Sequence, residues 1–214
     1  MKNGFLKVAA ATPAVRVADT KANAAAHVAL AQKAYSEGVR VLVFPELSLT
    51  GATCGDLFST DTLLSGAQEA LAAYLAATKT LDMVSVVGLP FAAHAKVYNT
   101  AAVCHAGKLL GLVTKRKVNE DPFATAPDFI EEVTFAGEQV SLGTEQIFTC
   151  ETMPSLTLAV EVGEDLQSLY APSLSHSAAG ATVICHPSAM PEIVGKKPAL
   201  DVILSAHTAR THTV

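Results

Sequence analysis

Residues 39–51 read VRVLVFPELSLTG, and this stretch decides the fold. Val39 to Phe44 form a short apolar run rich in β-branched side chains, the mark of a buried strand. Pro45 ends the run and leaves Glu46 at its C-terminal tip. On the N-terminal side, Asp19 or Thr20 can cap a helix that reaches about Glu37. Ala24, His27, Val28, Ala31, Ala34 and Tyr35 recur at i, i+3, i+4 and i+7. Gly38 then stands where a left-handed C-terminal residue is expected. Residues 5–11, FLKVAAA, read as an earlier buried strand that Thr12-Pro13 closes.

The same alternation continues downstream. Ser59 to Asp61 offer caps for a helix to about Lys79, with Leu63, Leu64, Ala67, Ala70, Leu71, Tyr74 and Leu75 on one face. MVSVVGLP, from Met83, reads as a strand. VYNTAAVCH and GKLLGLVTK flank His105-Ala106-Gly107, a hairpin signal. Residues 116–148 carry Pro122, Pro127, Gly137, Gly143 and many charges, and read as an irregular region with at most one helical turn. Strands follow at 156–162 (LTLAVEV) and from Ala181 (ATVICH). Ser173 to Ala179 read as a short helix and Ala199 to Arg210 as a last one. Strand–helix alternation followed by a hairpin implies a mixed sheet covered by helices, an α/β fold in one domain spanning 1–214.

Bulk properties exclude several classes. The 214 residues are 50% hydrophobic and 16% charged, with a net charge of −5. That supports a sizeable core and argues against disorder. No basic stripe suggests a nucleic-acid partner. No apolar run is long enough to span a membrane. Lys2 and the apolar residues after it faintly resemble a secretory leader, but Lys7 interrupts them, and a first strand is the reading adopted. Cys54, Cys104, Cys150 and Cys185 show no C-x-x-C spacing and the seven histidines no zinc pattern, so reduced structural thiols, a cytoplasmic location and no metal are expected. His207 and His212, near the chain end, are expected to be solvated.

In such folds sites lie beyond the C-terminal ends of strands. Three ends carry polar residues: Glu46, Lys115 in LLGLVTK, and Gly163-Glu164-Asp165 in LAVEVGED. Each alone reads as a surface charge at a strand end. A carboxylate and an ammonium buried together would instead perturb each other and suit acid–base work.

Taken together the segments resemble the glutamine-hydrolysing domain of bacterial glutamine-dependent NAD synthetases, in the nitrilase (carbon–nitrogen hydrolase) superfamily. FPELSLTGATCGDLF is similar to that family's F-P-E-L-x-x-T-G-Y-T-C-G-D-L-F. VVGLPF, VYNTAAV and GKLLGLVTK follow in the family's order. FIEEVTF, from Phe129, resembles F-Y-E-x-R-x-F, and GATVICHPSA, from Gly180, resembles G-A-x-V-I-x-N-x-S-A. The resemblance implies a four-layer αββα sandwich. It also implies a Glu–Lys–Cys triad in which glutamate accepts the thiol proton, cysteine attacks the amide carbon and lysine stabilises the oxyanion. Glu46 matches the base and Lys115 the lysine. Glu131 matches a second, orienting glutamate, and Glu164 is a supporting carboxylate. A small amide such as glutamine, a synthetase domain or subunit, and a homo-oligomer are the partners the resemblance implies. No cofactor is implied.

The resemblance breaks at the nucleophile. Where the family has C-E-D-L-W, this chain has Gly163-Glu164-Asp165-Leu166-Gln167. Glycine cannot form a thioester, although it suits a sharp elbow with positive φ. Ala52 replaces a tyrosine, Val133 an arginine, and Asn119-Glu120-Asp121 a P-N-Y loop. Cys54 belongs to the family pattern and reads as packing. Cys185-His186 at a neighbouring strand end is a candidate relocated thiol, although adjacent strand residues face opposite sides. Ser205 to Arg210 resembles the family's S-Q-S-A-R helix. Further strands and an ATP-binding domain with an S-G-G-x-D-S loop follow there, so the chain is expected to be C-terminally shortened and to lack the synthetase domain. The expectations are a glutamine amidohydrolase-type domain impaired in amide hydrolysis or, alternatively, an inactive nitrilase-fold pseudoenzyme that binds a partner or small amide. Hydrolysis by water held in the space at Gly163 is a third reading.

Overall fold

The computed structural model describes residues 4–118 and 121–214. Lys2, Asn119 and Glu120, which entered the leader and loop comparisons, lie outside the described residues.

Strand β1 (Val8–Ala10) leads to helix α1 (Thr20–Ser36), whose N-terminus is capped by the Asp19 carboxylate accepting from Ala22 N. Strand β2 (Val41–Val43) and helix α2 (Asp61–Ala77) follow, the latter capped by Thr60. All seven apolar positions read for α2 are buried. Strands β3 (Val84–Ala93), β4 (Lys96–His105) and β5 (Lys108–Thr114) make two successive hairpins, and Ala106 and Gly107 form the turn between the last two.

The region 116–148 departs from its reading as irregular. It contains a hairpin of β6 (Glu131–Phe135) and β7 (Glu138–Gly143), then β8 (Ile147–Thr149). In β6 the inward residues Val133 and Phe135 alternate with exposed Glu132 and Thr134, so its charges lie on the outer face of a half-buried strand. β9 (Thr157–Val160), α3 (Pro172–Ala178), β10 (Val183–Cys185) and α4 (Lys196–Thr211) complete the chain.

The larger sheet runs β1-β2-β3-β4-β5-β7-β6 and the smaller runs β10-β9-β8. Helices α1 and α2 cover one face of the larger sheet, where Ala31, Leu42, Phe44, Leu71, Tyr74, Leu89 and Phe91 form the first core. Its other face sets Val41, Val86, Ala101, Val103 and Val113 against Leu158, Val160, Val162 and Cys185 of the smaller-sheet region. Helix α3 packs on β9 and α4 on α3. The order is therefore helix, sheet, sheet, helix, the αββα arrangement expected.

Two further readings are corrected. The first strand is not buried: β1 is the sheet edge, with one strand neighbour, and Val8 stays 48% exposed. His207 is not solvated. It is buried between α4 and α3, with Nε2 2.8 Å from Ser173 Oγ.

Candidate functional site

The loop after β2 is held by close backbone approach. Leu49 N donates to Gly88 O at 3.0 Å. A Cβ on Gly88 would lie 2.4 Å from both Leu47 N and Pro45 O, so only glycine lets β3 pass this close. Helix α1 supports the loop from behind. Asn23 Nδ2 donates to Leu49 O, and His27 Nε2 lies 2.8 Å from Ser48 Oγ. These contacts set Glu46 pointing inward, 6% exposed.

Glu46 has four lone-pair directions and three donors. Its Oε1 accepts from Asn99 Nδ2 at 2.7 Å and from Lys115 Nζ at 2.9 Å, and its Oε2 accepts from Ala189 N at 3.0 Å. Lys115 follows β5 directly, and its N donates to Asn99 O at 2.8 Å, so cross-strand pairing sets the lysine beside the asparagine. The ammonium lies between Glu46 and Glu164, bonding both. Burial opposes its charge, but the two carboxylates prevail and hold its pKa above the usual lysine value. Burial likewise works against ionised Glu164, and Lys115, with a smaller contribution from Lys196, holds its carboxyl below the usual range.

Gly163 begins a 3₁₀ turn, Gly163–Gln167, at φ +58°. Its N donates to Pro187 O at 2.9 Å, and its O accepts from His186 Nε2 at 2.8 Å. Asp165, 1% exposed, accepts from Arg116 N at 2.6 Å and Lys117 N at 3.0 Å. Burial raises its carboxyl pKa despite these two donors. The elbow thus supplies three features in sequence: at Gly163 a close approach to Glu46 and Lys115, at Glu164 a counter-charge, and at Asp165 a clasp on the backbone that follows Lys115.

The structure brings Glu46, Lys115, Gly163 and Glu164 together. It leaves Glu131 apart: on β6, that side chain has its charged contact with His94, at 3.6 Å, and no hydrogen bond or ion pair with Glu46 or Lys115. Cys185 does not reach the site. It is buried between the sheets, and burial pushes its thiol up to about 12. Cys54 is buried with Sγ donating to Thr50 O at 3.2 Å. Asn99 escaped the sequence reading as a site residue, since its place inside the quoted VYNTAAV signals no contact. Asp165 is read there as a polar strand end and His186 as the neighbour of a relocated thiol, whereas the structure makes Asp165 a backbone clasp and His186 a donor to Gly163 O. Among the described residues no group of three or more His, Cys, Asp or Glu side chains is placed to hold a metal, and no helix is long and apolar enough to cross a membrane.

A cavity of about 320 Å³ opens beside the ion pair, lined by Asn99, Lys115, Lys117, Phe123, Glu164 and Gln167 among others. Asn99 Oδ1 is buried and has no hydrogen-bond partner among the described residues.

Residues 7–209 match the carbon–nitrogen hydrolase family. The chain belongs to that family. This carbon–nitrogen hydrolase domain is 31% identical, over 98% of its length, to a glutamine-dependent NAD(+) synthetase of Mycobacterium tuberculosis, covering 32% of that protein. It is also 31% identical to one from Xylella fastidiosa, over 97% of its length and 36% of the relative's. The domain therefore spans about a third of these curated relatives. Among solved structures, a glutamine-dependent NAD(+) synthetase from Cytophaga hutchinsonii superposes with a TM-score of 0.80 at 21% identity, over 97% of this chain and 34% of that one. An amidase from Nesterenkonia sp. superposes at 0.75 with 16% identity, over 100% of this chain and 75% of that one. These likenesses confirm the fold.

Proposed function

We propose that this domain binds a small primary carboxamide and does not hydrolyse it. One observation carries the reading. An ideal Cβ on Gly163 would lie 2.7 Å from Glu46 Oε2 and 2.9 Å from both Glu46 Oε1 and Lys115 Nζ. The nucleophile's side-chain space is thus taken by the acid–base pair itself. Glu46 and Lys115 keep the places of a base and an oxyanion stabiliser, but no thiol stands between them to form an acyl intermediate. Loss of such a nucleophile costs on the order of 10⁶ in kcat.

The lineage supplies the ligand class. Relatives named glutamine-dependent NAD(+) synthetases make glutamine the first amide to test, and ammonia supply to a synthetase domain or subunit is the ancestral role this reading implies. A protein of this fold can hold a small amide with a cysteine removed: a Nesterenkonia amidase with one cysteine changed to alanine is solved in complex with butyramide.

The test measures ammonia release and amide binding by the purified chain beside Gly163→Cys. The expected result is a silent wild type that binds amide. Ammonia release gained by the variant would show that only the nucleophile is missing. Ammonia release by the wild type, or no amide binding at millimolar concentration, refutes the proposal.

A further inference from the structure

Beyond β10 the chain is tied to the body of the domain at two separated points. At the first, Ala189 N donates to Glu46 Oε2 at 3.0 Å, and Gln167 Nε2 donates to Met190 Sδ at 3.0 Å. The second is His207, whose Nε2 lies 2.8 Å from Ser173 Oγ. Between them, among the described residues, no hydrogen bond or ion pair joins residues 191–206 to the chain outside residues 191–212. None of residues 191–206 is buried, and only Lys196, Leu200 and Ile203 are partly so.

The start of α4 is also weak in its own right. Gly195 supplies no side-chain cap and the first turn holds no acid. Lys196 and Lys197 set positive charge at the positive end of the helix dipole. The cost of opening a segment follows the contacts it must break, and here they are few. Ile193 and Val194 are already exposed, so opening uncovers no apolar side chain at either.

The root of this segment belongs to the site. The Ala189 N–H is the donor on Glu46 Oε2, and Gln167, which holds Met190, lines the cavity beside Lys115. At the start of α4, Lys196 is close enough to Glu164 for its charge to help keep that carboxyl ionised. The segment therefore runs past the rim of the cavity.

We propose that residues 190–206 form a hinged flap at this rim, latched shut by the Ala189 N–H on Glu46, and that opening frees Oε2 for an entering donor. The coupling is reciprocal: a group that takes the place of Ala189 on Oε2 favours the open flap. The inference goes beyond the amide-binding reading and does not depend on it.

Hydrogen exchange of the intact chain, followed by mass spectrometry, tests this. In the wild type the amides of residues 199–206 should exchange at least about tenfold faster than those of α2, because they open without global unfolding. Two variants remove the latch from opposite sides. In Glu46→Gln the amide oxygen stays with Lys115 and Asn99, so its NH2 meets the Ala189 N–H, donor against donor. Ala189→Pro removes the N–H and leaves Glu46 charged. Each should speed exchange at 199–206 by about a further tenfold, the effect of one hydrogen bond to a charged acceptor, and by more than any change in α2, which reports global stability. Wild-type amides at 199–206 as slow as those of α2 would mean that no flap opens by itself. Exchange there unchanged in both variants, or raised only as much as in α2, would mean that Ala189 is no latch. Either result overturns the proposal.

Discussion

Gly163 and Glu46 approach so closely that a single methyl group on the glycine would overlap the carboxylate, 2.7 Å from Oε2. The glycine's φ of +58° adds a second constraint, because a side chain there carries left-handed strain. A side chain at residue 163 would therefore compete for the space that the ends of Glu46 and Lys115 occupy.

Gly163→Ala should accordingly destabilise the domain. The strain amounts to about 1 kcal/mol. Displacing the ends of Glu46 and Lys115 adds to it, although both are flexible termini that can give way. For a domain of this size the melting temperature should fall by about 3–6 °C. An unchanged melting temperature would mean that the ion pair is looser than the structure shows.

Lys115 and Glu46 should be unequal in what their removal costs. Lys115→Met leaves Glu46, 6% exposed, with only Asn99 and Ala189 N as donors. An uncompensated buried charge of this kind costs about 3–5 kcal/mol. Glu46→Gln leaves Lys115 still paired with half-exposed Glu164, so its cost should be smaller, about 1–3 kcal/mol. The double variant should be less destabilised than the sum of the two. Additive losses in chemical denaturation would show that the pair is not energetically coupled.

Thiol accessibility distinguishes packing cysteines from a relocated nucleophile. Cys54, Cys104 and Cys185 are buried, and burial raises the pKa of each thiol. Cys150 is partly exposed. A thiol-specific chromophore should therefore titrate Cys150 in the native protein and all four cysteines in denaturant. Rapid native labelling of Cys185 would revive that residue as a reactive group.

How much of this was readable from sequence depends on whether the signal is local. The face of α2 follows from period and caps alone, since Leu63 through Leu75 repeat at helical spacing and Thr60 precedes them. β6 was missed because Glu131 and Glu132 made a half-buried strand look like a charged loop. β1 was misjudged because being a sheet edge is a property of strand order, which a sequence does not display. Glu46 and Lys115 were proposed as partners through resemblance, not spacing. Sixty-nine residues separate them, and only the register that sets Lys115 N on Asn99 O brings them together. Asp165 looked like a strand-end charge. Its role as a clasp depends on the path of Arg116 and Lys117, where the chain had been read as irregular.

His27 ties the stability of the loop bearing Glu46 to pH. Its Nδ1 faces Asn23 O at 2.7 Å, a pure acceptor, so Nδ1 carries the proton and in the neutral ring Nε2 accepts from Ser48. Burial pushes its pKa down to about 4, against a partial upward pull from the Asn23 carbonyl. The folded pKa thus lies below the unfolded value of about 6.5, and as pH falls the unfolded chain takes up the proton first. The stability linked to neutral His27 is complete above pH about 6.5 and is lost as pH falls toward about 4, by about 3 kcal/mol in all. Phenylalanine keeps an aromatic ring beside Phe44, tilted at 4.3 Å, and edge-on to Tyr74, and it does not titrate. His27→Phe should cost about 1–2 kcal/mol at pH 7.5 through the lost hydrogen bonds. By pH 4.5 the order should reverse, because wild type alone carries the histidine penalty. Urea denaturation of both proteins at the two pH values decides the matter. Parallel losses on acidification would show that His27 is not the titrating group.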